Sequence, residues 1–245
     1  MGMNKILHLL DEADKNKKAL FHFNISNFEM IKAIVSASAE RRTPVFLGVS
    51  EGERAFIGVK TLPALVKRMR EEEGLIVFSN ADHTTTIENI VEAAKAGFDA
   101  VTVDASDLPL DEAIKFVAKA REEALSINKD MVIEGEIGFI GHSSEMIKDL
   151  PYDPMEEKFR LTDPKDADKF VKETGVHMFS PAVGNFHGMK INGALPSPDF
   201  ERIKLLKSVV RMPMVLHGGS GLSDEDLKKS AEAGISLIHI SSELR

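Results

Sequence analysis

Short apolar runs alternate along the chain with longer segments in which apolar residues recur every three or four positions. The short runs are rich in β-branched and aromatic residues, which is typical of buried strands. They predict eight strands, over residues 19–24, 44–49, 75–80, 100–105, 131–136, 178–183, 214–219 and 237–241. The longer segments predict amphipathic helices between the strands, at residues 27–42, 86–97, 110–125, 166–175 and 224–234.

Residues typical of helix ends flank several of these segments. Ser223 precedes "DEDLKK" and Thr162 precedes "DPKDADKF", so each is predicted to cap the helix that follows it. Gly97 and Gly175 stand directly after helical segments and before strands, which is the usual position of a glycine stop.

The order of the elements predicts the fold class. Eight strands separated by helices indicate parallel β–α–β units. The first strand-to-helix turn, "FNISNFE", lacks the glycine-rich pattern of an open doubly wound sheet. We therefore predict an α/β fold, a (β/α)8 TIM barrel, as a single domain over residues 1–245. Only "SELR" follows the last strand, so we expect the C-terminal helix or helices to be missing from this chain, or a second chain to cover that wall.

Charge and composition narrow the classes of partner. The chain carries a formal net charge of −8 and has no basic tract, which argues against a nucleic-acid partner. No apolar run approaches the roughly 18 residues of a membrane span, so no membrane partner is expected. The lack of cysteine excludes disulfides and thiolate metal ligands within this chain and suits a cytoplasmic protein.

Polar residues gather at the carboxyl ends of the predicted strands. In a (β/α)8 barrel these ends meet at one rim, where active sites lie. The residues are Asn24, Ser50, Asp82, His83, Asp104, Ser106, Glu134, Glu136, His187 and His217. The three histidines in this set, together with a carboxylate, make a chemically sensible site for a divalent metal ion. The remaining histidines considered are interpreted as packed or capping residues: His8, His22 and His177.

Burial of the carboxylates at this rim requires a compensating interaction. Glu134 and Glu136 are two positions apart, and therefore on one face of the predicted strand. Two buried carboxylates require a cation nearby, which a metal ion at the histidines would supply. Asp82 has two interpretations, as a base beside the metal or as the N-cap of the next helix.

Glycine-rich turns after the last predicted strands suggest an anion site. "GNFHG" follows the sixth strand, "HGGSG" the seventh and "ISSE" the eighth. Barrel phosphate sites commonly use the loops after strands seven and eight, where backbone N–H groups surround the anion. Hydroxyls in these turns would add donors: Ser220, Ser241 and Ser242.

The most specific segments are "NADHT", "KAGFDAVTVDASDLPLDEAI", "IEGEIGFIG", "LTDPKDADKFVKETGV", "AVGNFHGMK" and "VLHGGSGLSDEDLKK". Together they resemble the class II, metal-dependent fructose-bisphosphate aldolases and their tagatose-bisphosphate relatives. The resemblance extends over nearly the whole chain, from "FHFNISNFEMIKAIVSASAERRTPVFLGVSEG" to "LIHISSELR". It implies reversible cleavage of a ketose 1,6-bisphosphate, first of all fructose bisphosphate, into dihydroxyacetone phosphate and an aldehyde phosphate. It also implies a cytoplasmic homo-oligomer, a dimer or tetramer, that acts in carbohydrate metabolism such as glycolysis.

The resemblance further implies a catalytic Zn²⁺, although other divalent ions suit the same ligand types, and it allows for a monovalent cation. It assigns four metal ligands: His83, His187, His217 and Glu136. By the same resemblance, Asp104 and Glu134 lie near a second or alternative metal position. The ion would polarise the ketone oxygen as a Lewis acid, so no Schiff-base lysine is required.

The resemblance also assigns the substrate contacts. Asp82 would transfer the proton at the C4 hydroxyl of the sugar. Asn24 matches an asparagine of the substrate pocket, and Ser50 matches a serine at the far phosphate. The dihydroxyacetone phosphate group is assigned to Gly188, Gly218, Ser220 and Ser242. Lys190 and Ser241 are further candidates for binding the substrate or its phosphate.

Two features depart from the family pattern. After the fifth strand the family usually has two glycines followed closely by an acidic residue, but here the second glycine is His142, with Ser143 and Ser144 after it. Glu145, one position late, is the candidate for proton transfer at the enediolate carbon. His239 occupies the position of an asparagine that stabilises developing charge. These departures leave two alternatives: an aldolase or isomerase for another phosphorylated sugar, and a non-catalytic homologue that binds metal and phosphate.

Overall fold

The computed structural model describes residues 2–141, 146–147, 161–190 and 195–244. The barrel strands are β1 Leu20–Asn24, β2 Val45–Val49, β3 Val77–Thr84, β4 Ala100–Asp104, β5 Val132–Ile137, β7 Met178–Pro181, β9 Met214–Leu216 and β10 Ile235–Ile240. They close into a parallel barrel in the order β1-β10-β9-β7-β5-β4-β3-β2, which confirms the predicted (β/α)8 architecture. Two short strands, β6 Met146–Ile147 and β8 Met189–Lys190, pair with each other outside the barrel.

Helices pack around the barrel and across its amino-terminal end. They are α1 Met3–Lys15, α2 Phe28–Arg41, α3 Glu51–Ile57, α4 Thr61–Glu73, α5 Ile87–Ala96, α6 Leu110–Ile127, α7 Pro164–Thr174, α8 Phe200–Val210 and α9 Asp224–Ala233, and a 3₁₀ turn covers Ser242–Leu244. The predicted helices are confirmed as α2, α5, α6, α7 and α9. The apolar pattern did not single out the others, of which α3 has only 7 residues. Among the described helices none is long and apolar enough to cross a bilayer.

The amino-terminal end of the barrel is closed by α1. Ile6 and Leu10 on this helix belong to one buried cluster with Phe46, Phe78 and Val132 from the barrel strands. Burying each such side chain contributes about 1.5–3 kcal/mol, so the cluster anchors the helix firmly. Because this end is packed with apolar groups, the polar residues are left at the opposite rim.

Most of the predicted helix ends are confirmed, and one N-cap differs. Ser223 caps α9 as predicted. The cap of α7 is Asp163, so the prediction of Thr162 is wrong by one residue. The Thr162 hydroxyl instead accepts a hydrogen bond of 2.9 Å from the backbone N–H of Ala182, which ties the loop before α7 to the end of β7. The predicted glycine stops are confirmed by left-handed C-caps: Gly97 and Gly175.

The third strand is longer than predicted, and this difference decides where site residues lie. β3 continues to Thr84 rather than ending at residue 80, and its register with β4 shifts after Ala81. The N-cap of α5 is Thr86. The interpretation of Asp82 as the cap of this helix is therefore wrong, because Asp82 lies inside the strand.

His177 packs against the barrel, and its titration is expected to make stability depend on pH. Its Nδ1 atom accepts a hydrogen bond of 2.9 Å from the backbone N–H of Ile133. Burial, and then the charge of Arg121, lower the pKa of His177 to about 4. The unfolded chain, with a pKa of about 6.5, binds more protons between these values, so stability is lost as pH falls from about 6.5 to 4.

We expect His177→Asn to remove this pH dependence, because the asparagine oxygen can still accept from Ile133 but does not titrate. The contribution should be about 1–2 kcal/mol, since solvent screens a partly buried charge. Urea unfolding of both proteins between pH 4 and 7 measures it. A stability difference between the two proteins that stays constant over this range would contradict the prediction.

Candidate metal and substrate site

Three histidines from different strand ends converge at the carboxyl rim. His83 lies near the end of β3, His187 in the loop after β7, and His217 directly after β9. One ring nitrogen from each lies within 4.8 Å of those of the other two. Their rings are 4.7 to 5.6 Å apart and meet edge to face, at 71° to 74°. This arrangement lets in-plane lone pairs point toward a common centre, as metal ligands must.

The backbone at His83 is unusual and explains how two consecutive residues reach one site. His83 has φ 41°, in the left-handed region that costs a non-glycine residue about 1–2 kcal/mol. Neighbouring residues of a regular strand point to opposite faces. Here Asp82 contacts Asn24 and His83 contacts Asp104, and all of them belong to the same rim. The irregularity in β3 therefore turns both side chains toward the site.

The loops that carry the other two histidines are tied to each other and to the segment that follows β5. Asn185 donates through Nδ2 to the carbonyl oxygen of His217 at 2.8 Å. The backbone N–H of His187 donates to the carbonyl oxygen of Ile140 at 2.9 Å. Gly218 has φ 66°, and a Cβ at this position would lie 2.1 Å from the carbonyl oxygen of Phe186. Glycine is needed there because the two loops touch.

Carboxylates surround the histidines. Asp104 Oδ2 lies 2.9 Å from His83 Nδ1, and Glu134 Oε1 lies 2.7 Å from His217 Nε2. Glu136 Oε2 lies 3.5 Å from His83 Nδ1 and 3.7 Å from His217 Nδ1. As predicted from their spacing, Glu134 and Glu136 share one face of β5, and both reach the histidine cluster.

The electrostatics of the cluster favour a cation. Burial, and then the charge of Asp104, raise the pKa of Glu136 well above its ordinary value. Burial raises the pKa of Glu134 to about 7. Burial and the charge of His83 lower the pKa of His217 to about 3. Although burial lowers the pKa of His83, the charges of Asp82 and Glu136 raise it well above its ordinary value. Without a metal, several buried carboxylates therefore share the charge of one imidazolium, and a divalent ion would neutralise them more fully.

Unpaired polar atoms in the cluster also indicate a site for a cation. Among the described residues, His187 Nε2, Glu134 Oε2 and Glu136 Oε2 are buried without a hydrogen-bond partner. Leaving such an atom unpaired costs about 1–3 kcal/mol. Imidazole nitrogen and carboxylate oxygen are ligand types of zinc and related divalent ions. The residues present therefore fit a divalent metal ion.

Asp82 lies beside this cluster in a narrow cleft. Its Oδ2 atom accepts a hydrogen bond of 2.8 Å from Asn24 Nδ2, and its Oδ1 atom lies 3.4 Å from His239 Nδ1. The cleft is lined by Asn24, Asp82, His187, Gly188, Gly218, Ser220, His239, Ser241 and Ser242. Residues assigned to proton transfer and residues assigned to phosphate binding thus share one cavity.

The loop after β9 is fixed to the end of β10 on the glycine- and serine-rich side of the cleft. Ser220 Oγ accepts a hydrogen bond of 2.9 Å from the backbone N–H of Ser241. The backbone N–H of Gly219 donates to the carbonyl oxygen of His239 at 3.0 Å. These contacts hold the turn "HGGSG" in a defined shape, as an anion site requires.

Some predicted site residues lie elsewhere or cannot be placed. Ser50 caps α3, in a reciprocal capping box with Glu53, and is not among the lining residues described above. His22, interpreted as a packed residue, stacks on His239 with ring centres 3.6 Å apart, and its Nε2 lies 3.1 Å from Asn80 Nδ2. His142, Ser143, Ser144, Glu145 and the side chain of Lys190 lie outside the described part of the chain.

Sequence reasoning assigned no role to Arg54, although it is buried directly behind the site. Its side chain is 5% exposed and binds the carbonyl oxygen of Asp82. In a charged segment such as "SEGERAF", an arginine is normally predicted to be exposed to solvent. Only its position just after the second strand could have drawn attention to it.

A family model, two curated proteins and a solved structure that are similar to this chain are all aldolases. The chain matches the family described as "Fructose-bisphosphate aldolase class-II" over residues 4–245. It is 32% identical over 246 residues to the fructose-bisphosphate aldolase of Geobacillus stearothermophilus, covering 99% of this chain and 82% of that protein. It is 35% identical over 229 residues to the fructose-bisphosphate aldolase of Helicobacter pylori strain J99, covering 92% and 72%. The crystal structure of the YdjI aldolase from Escherichia coli K12 superposes with a TM-score of 0.80 at 28% identity, covering 97% of this chain and 81% of that one.

Proposed function

Because the chain belongs to the class II fructose-bisphosphate aldolase family, a family of lyases, we propose that it cleaves a ketose 1,6-bisphosphate. Fructose 1,6-bisphosphate is the proposed substrate, and the products are dihydroxyacetone phosphate and glyceraldehyde 3-phosphate. One observation carries the proposal: a cluster of metal-ligand histidines lies directly beside a buried aspartate in a cleft bordered by glycine and serine turns.

We propose Zn²⁺ as the resident ion. Four residues would hold it: His83, His187, His217 and Glu136. When bound, the ion supplies Lewis-acid polarisation of the substrate carbonyl. The two nearest further carboxylates, Asp104 and Glu134, orient the ligand histidines through the hydrogen bonds of 2.9 and 2.7 Å described above, and such partners fix ring orientation.

Asp82 is the proposed proton-transfer group. Although burial raises the pKa of Asp82, the charge of His83 and a contact with His239 lower it well below its ordinary value. When His83 holds the ion as a neutral ligand, the cation itself would keep the Asp82 carboxylate ionised, so that it can accept a proton. In cleavage it takes the proton of the C4 hydroxyl, the C3–C4 bond breaks, and its electron pair stays on the dihydroxyacetone fragment. The former C4 hydroxyl oxygen becomes the aldehyde oxygen. The carbanion left at C3 takes up a proton, for which Glu145 is the proposed donor, to give dihydroxyacetone phosphate, and Asp82 releases its proton to solvent.

Asn24 positions this base. Its amide holds Oδ2 of Asp82 through a hydrogen bond of 2.8 Å, which limits rotation of the carboxylate. A base must lie within hydrogen-bond reach of the proton that it removes, so a fixed carboxylate is a more effective base than a mobile one.

The phosphate of the dihydroxyacetone fragment is proposed to bind at the other side of the cleft. Gly188, Gly218 and Ser220 line it there together with Ser241 and Ser242. Backbone N–H groups in such turns bind anions, and hydroxyls add further donors. Binding energy at this remote group would hold the sugar with its C4 hydroxyl near Asp82.

A second candidate is an aldolase for a different phosphorylated ketose. The observation that favours it is His239, whose imidazole lines the cleft beside Asp82 where the family usually has an asparagine. A larger aromatic ring changes both the shape and the hydrogen bonding of the pocket, and these set which sugar hydroxyls fit.

A cleavage assay on a panel of phosphorylated ketoses tests both candidates. The zinc-loaded protein is mixed with fructose and tagatose 1,6-bisphosphates and with ketose monophosphates, and dihydroxyacetone phosphate is measured. The highest kcat/KM is expected with fructose 1,6-bisphosphate. A higher value with another ketose would favour the second candidate, and no cleavage of any of them would leave the non-catalytic alternative.

The other expectations from the sequence stay predictions. They are a single domain over residues 1–245, a cytoplasmic location, a homo-oligomeric state and a monovalent cation. The family supports a small phosphorylated sugar as the partner.

A further inference from the structure

Arg54 is a buried cation that binds the backbone beside the site. It lies in α3 and is 5% exposed. Its Nη1 atom donates to the carbonyl oxygens of Val49 and Asp82, at 2.9 and 3.1 Å. Its Nη2 atom donates to Thr84 Oγ1 at 3.0 Å. One guanidinium group therefore joins the end of β2 to the end of β3.

The acceptors on β3 stand on either side of the strained residue. Asp82 immediately precedes His83 and Thr84 immediately follows it, and His83 is the residue with φ 41°. A left-handed non-glycine residue persists only where the surroundings hold it in place. The planar guanidinium, with donors in a rigid fork, is suited to binding both neighbours at once.

Burying this charge needs a compensating benefit. No carboxylate oxygen within ion-pair distance of Arg54 is found in the described part of the chain, and its partners are two carbonyls and a hydroxyl. Burial lowers the pKa of Arg54, and the charges of Glu51, Asp82 and Glu92, which lie beyond ion-pair distance, offset this cost only in part. A methionine of similar length would fill the space at lower cost, so packing alone does not account for an arginine here.

We propose that Arg54 is a positioning residue that holds the left-handed turn at His83, so that Asp82 and His83 both face the site. The inference rests on the proposed function of these two residues. Arg54 does not line the cleft, and it acts only through the backbone of Asp82 and the side chain of Thr84.

The test compares Arg54→Lys and Arg54→Met with the wild type. A lysine keeps the charge but cannot bind three acceptors in a fork. Both variants should bind Co²⁺, used as a spectroscopic substitute for zinc, about 10–100-fold more weakly, the usual loss when a residue that supports a ligand is changed. Their kcat should fall by a similar factor while KM changes less than about threefold. Amide hydrogen exchange of the peptide around His83 should also become faster.

Arg70 offers a matched control at the other end of the same strand. Its Nε atom donates to the carbonyl oxygen of Val77 at 2.6 Å, and its Nη1 atom donates to Asp99 at 2.9 Å. Arg70→Met should lower the melting temperature but leave Co²⁺ affinity, kcat and exchange around His83 unchanged. If Arg54 were merely structural, the Arg54 and Arg70 variants would lose stability alike and leave the site as it is, and that result overturns the inference.

A milder variant covers the case in which Arg54→Met does not fold. Thr84→Val leaves the arginine in place and removes the hydroxyl that accepts from Arg54 and donates to the carbonyl oxygen of Ala81 at 3.2 Å, so a loss in the same direction is expected. Co²⁺ affinity and exchange are read without any sugar. A wild type that binds Co²⁺ but cleaves nothing would contradict only the proposed function. Exchange and Co²⁺ affinity unchanged in both Arg54→Lys and Thr84→Val would contradict only the role of Arg54.

Discussion

The Asp82→Asn variant is expected to keep its metal and to cleave fructose 1,6-bisphosphate about 10²–10⁴-fold more slowly than the wild type, the usual contribution of a positioned acid or base. Asparagine has nearly the same shape, and its oxygen can still accept from Asn24. It has no basic oxygen for the C4 proton, however. Steady-state kinetics and elemental metal analysis of the same samples measure both parts of this prediction.

Asp99→Asn is the matched control for this experiment. Asp99 stands just before β4, at the opposite end of the barrel, where it accepts a hydrogen bond of 2.8 Å from the backbone N–H of Ser79 and pairs with Arg70. The same substitution there should lower the melting temperature and leave kcat within about twofold of wild type. Wild-type turnover in Asp82→Asn would remove Asp82 from the mechanism.

Removing the metal should abolish cleavage, and adding Zn²⁺ back should restore it. Removal should also lower the melting temperature, because an ion that binds only the folded state stabilises it. The structural reason is that Glu134, Glu136 and Asp104 are left close together in a buried cluster. Activity and melting curves are measured after dialysis against a chelator and again after zinc is returned.

Two histidine variants make this experiment specific. His187→Ala removes a proposed ligand, and the purified protein should lose its metal and its activity. His177→Asn changes a histidine far from the cluster, and metal content and kcat should stay at wild-type values. Cleavage that survives complete demetallation, or a substrate fragment fixed to a lysine by borohydride, would exclude the metal-dependent mechanism.

Much of the fold followed from local sequence pattern. The eight barrel strands and five of the helices were predicted within a few residues, because continuous burial of the strands and helical periodicity leave a direct trace in the order of apolar residues. The predictions failed where the structure depends on contacts between distant segments. The strand end at residue 80 and the cap at Thr162 were wrong for this reason: β3 continues through a register shift with β4, and the Thr162 hydroxyl binds the backbone of β7 instead.

Some of the site residues could also be predicted from local sequence, and others could not. His83, His187 and His217 could be proposed from sequence, since the carboxyl ends of parallel strands must meet at one rim. The spacing of Glu134 and Glu136 likewise predicted a shared face, and both carboxylates lie against histidines of the cluster there.

The sequence by itself determined the barrel, the rim and the kinds of ligand, because each is encoded in periodicity or in residue type. Only the tertiary structure decided that Asp82 and His83, adjacent in sequence, both face the site, and that Arg54 binds behind them. The physical reason is that side-chain direction at an irregular strand depends on pairing with neighbouring strands and on a buried charge from another segment. Neither of these leaves a periodic signal in the chain.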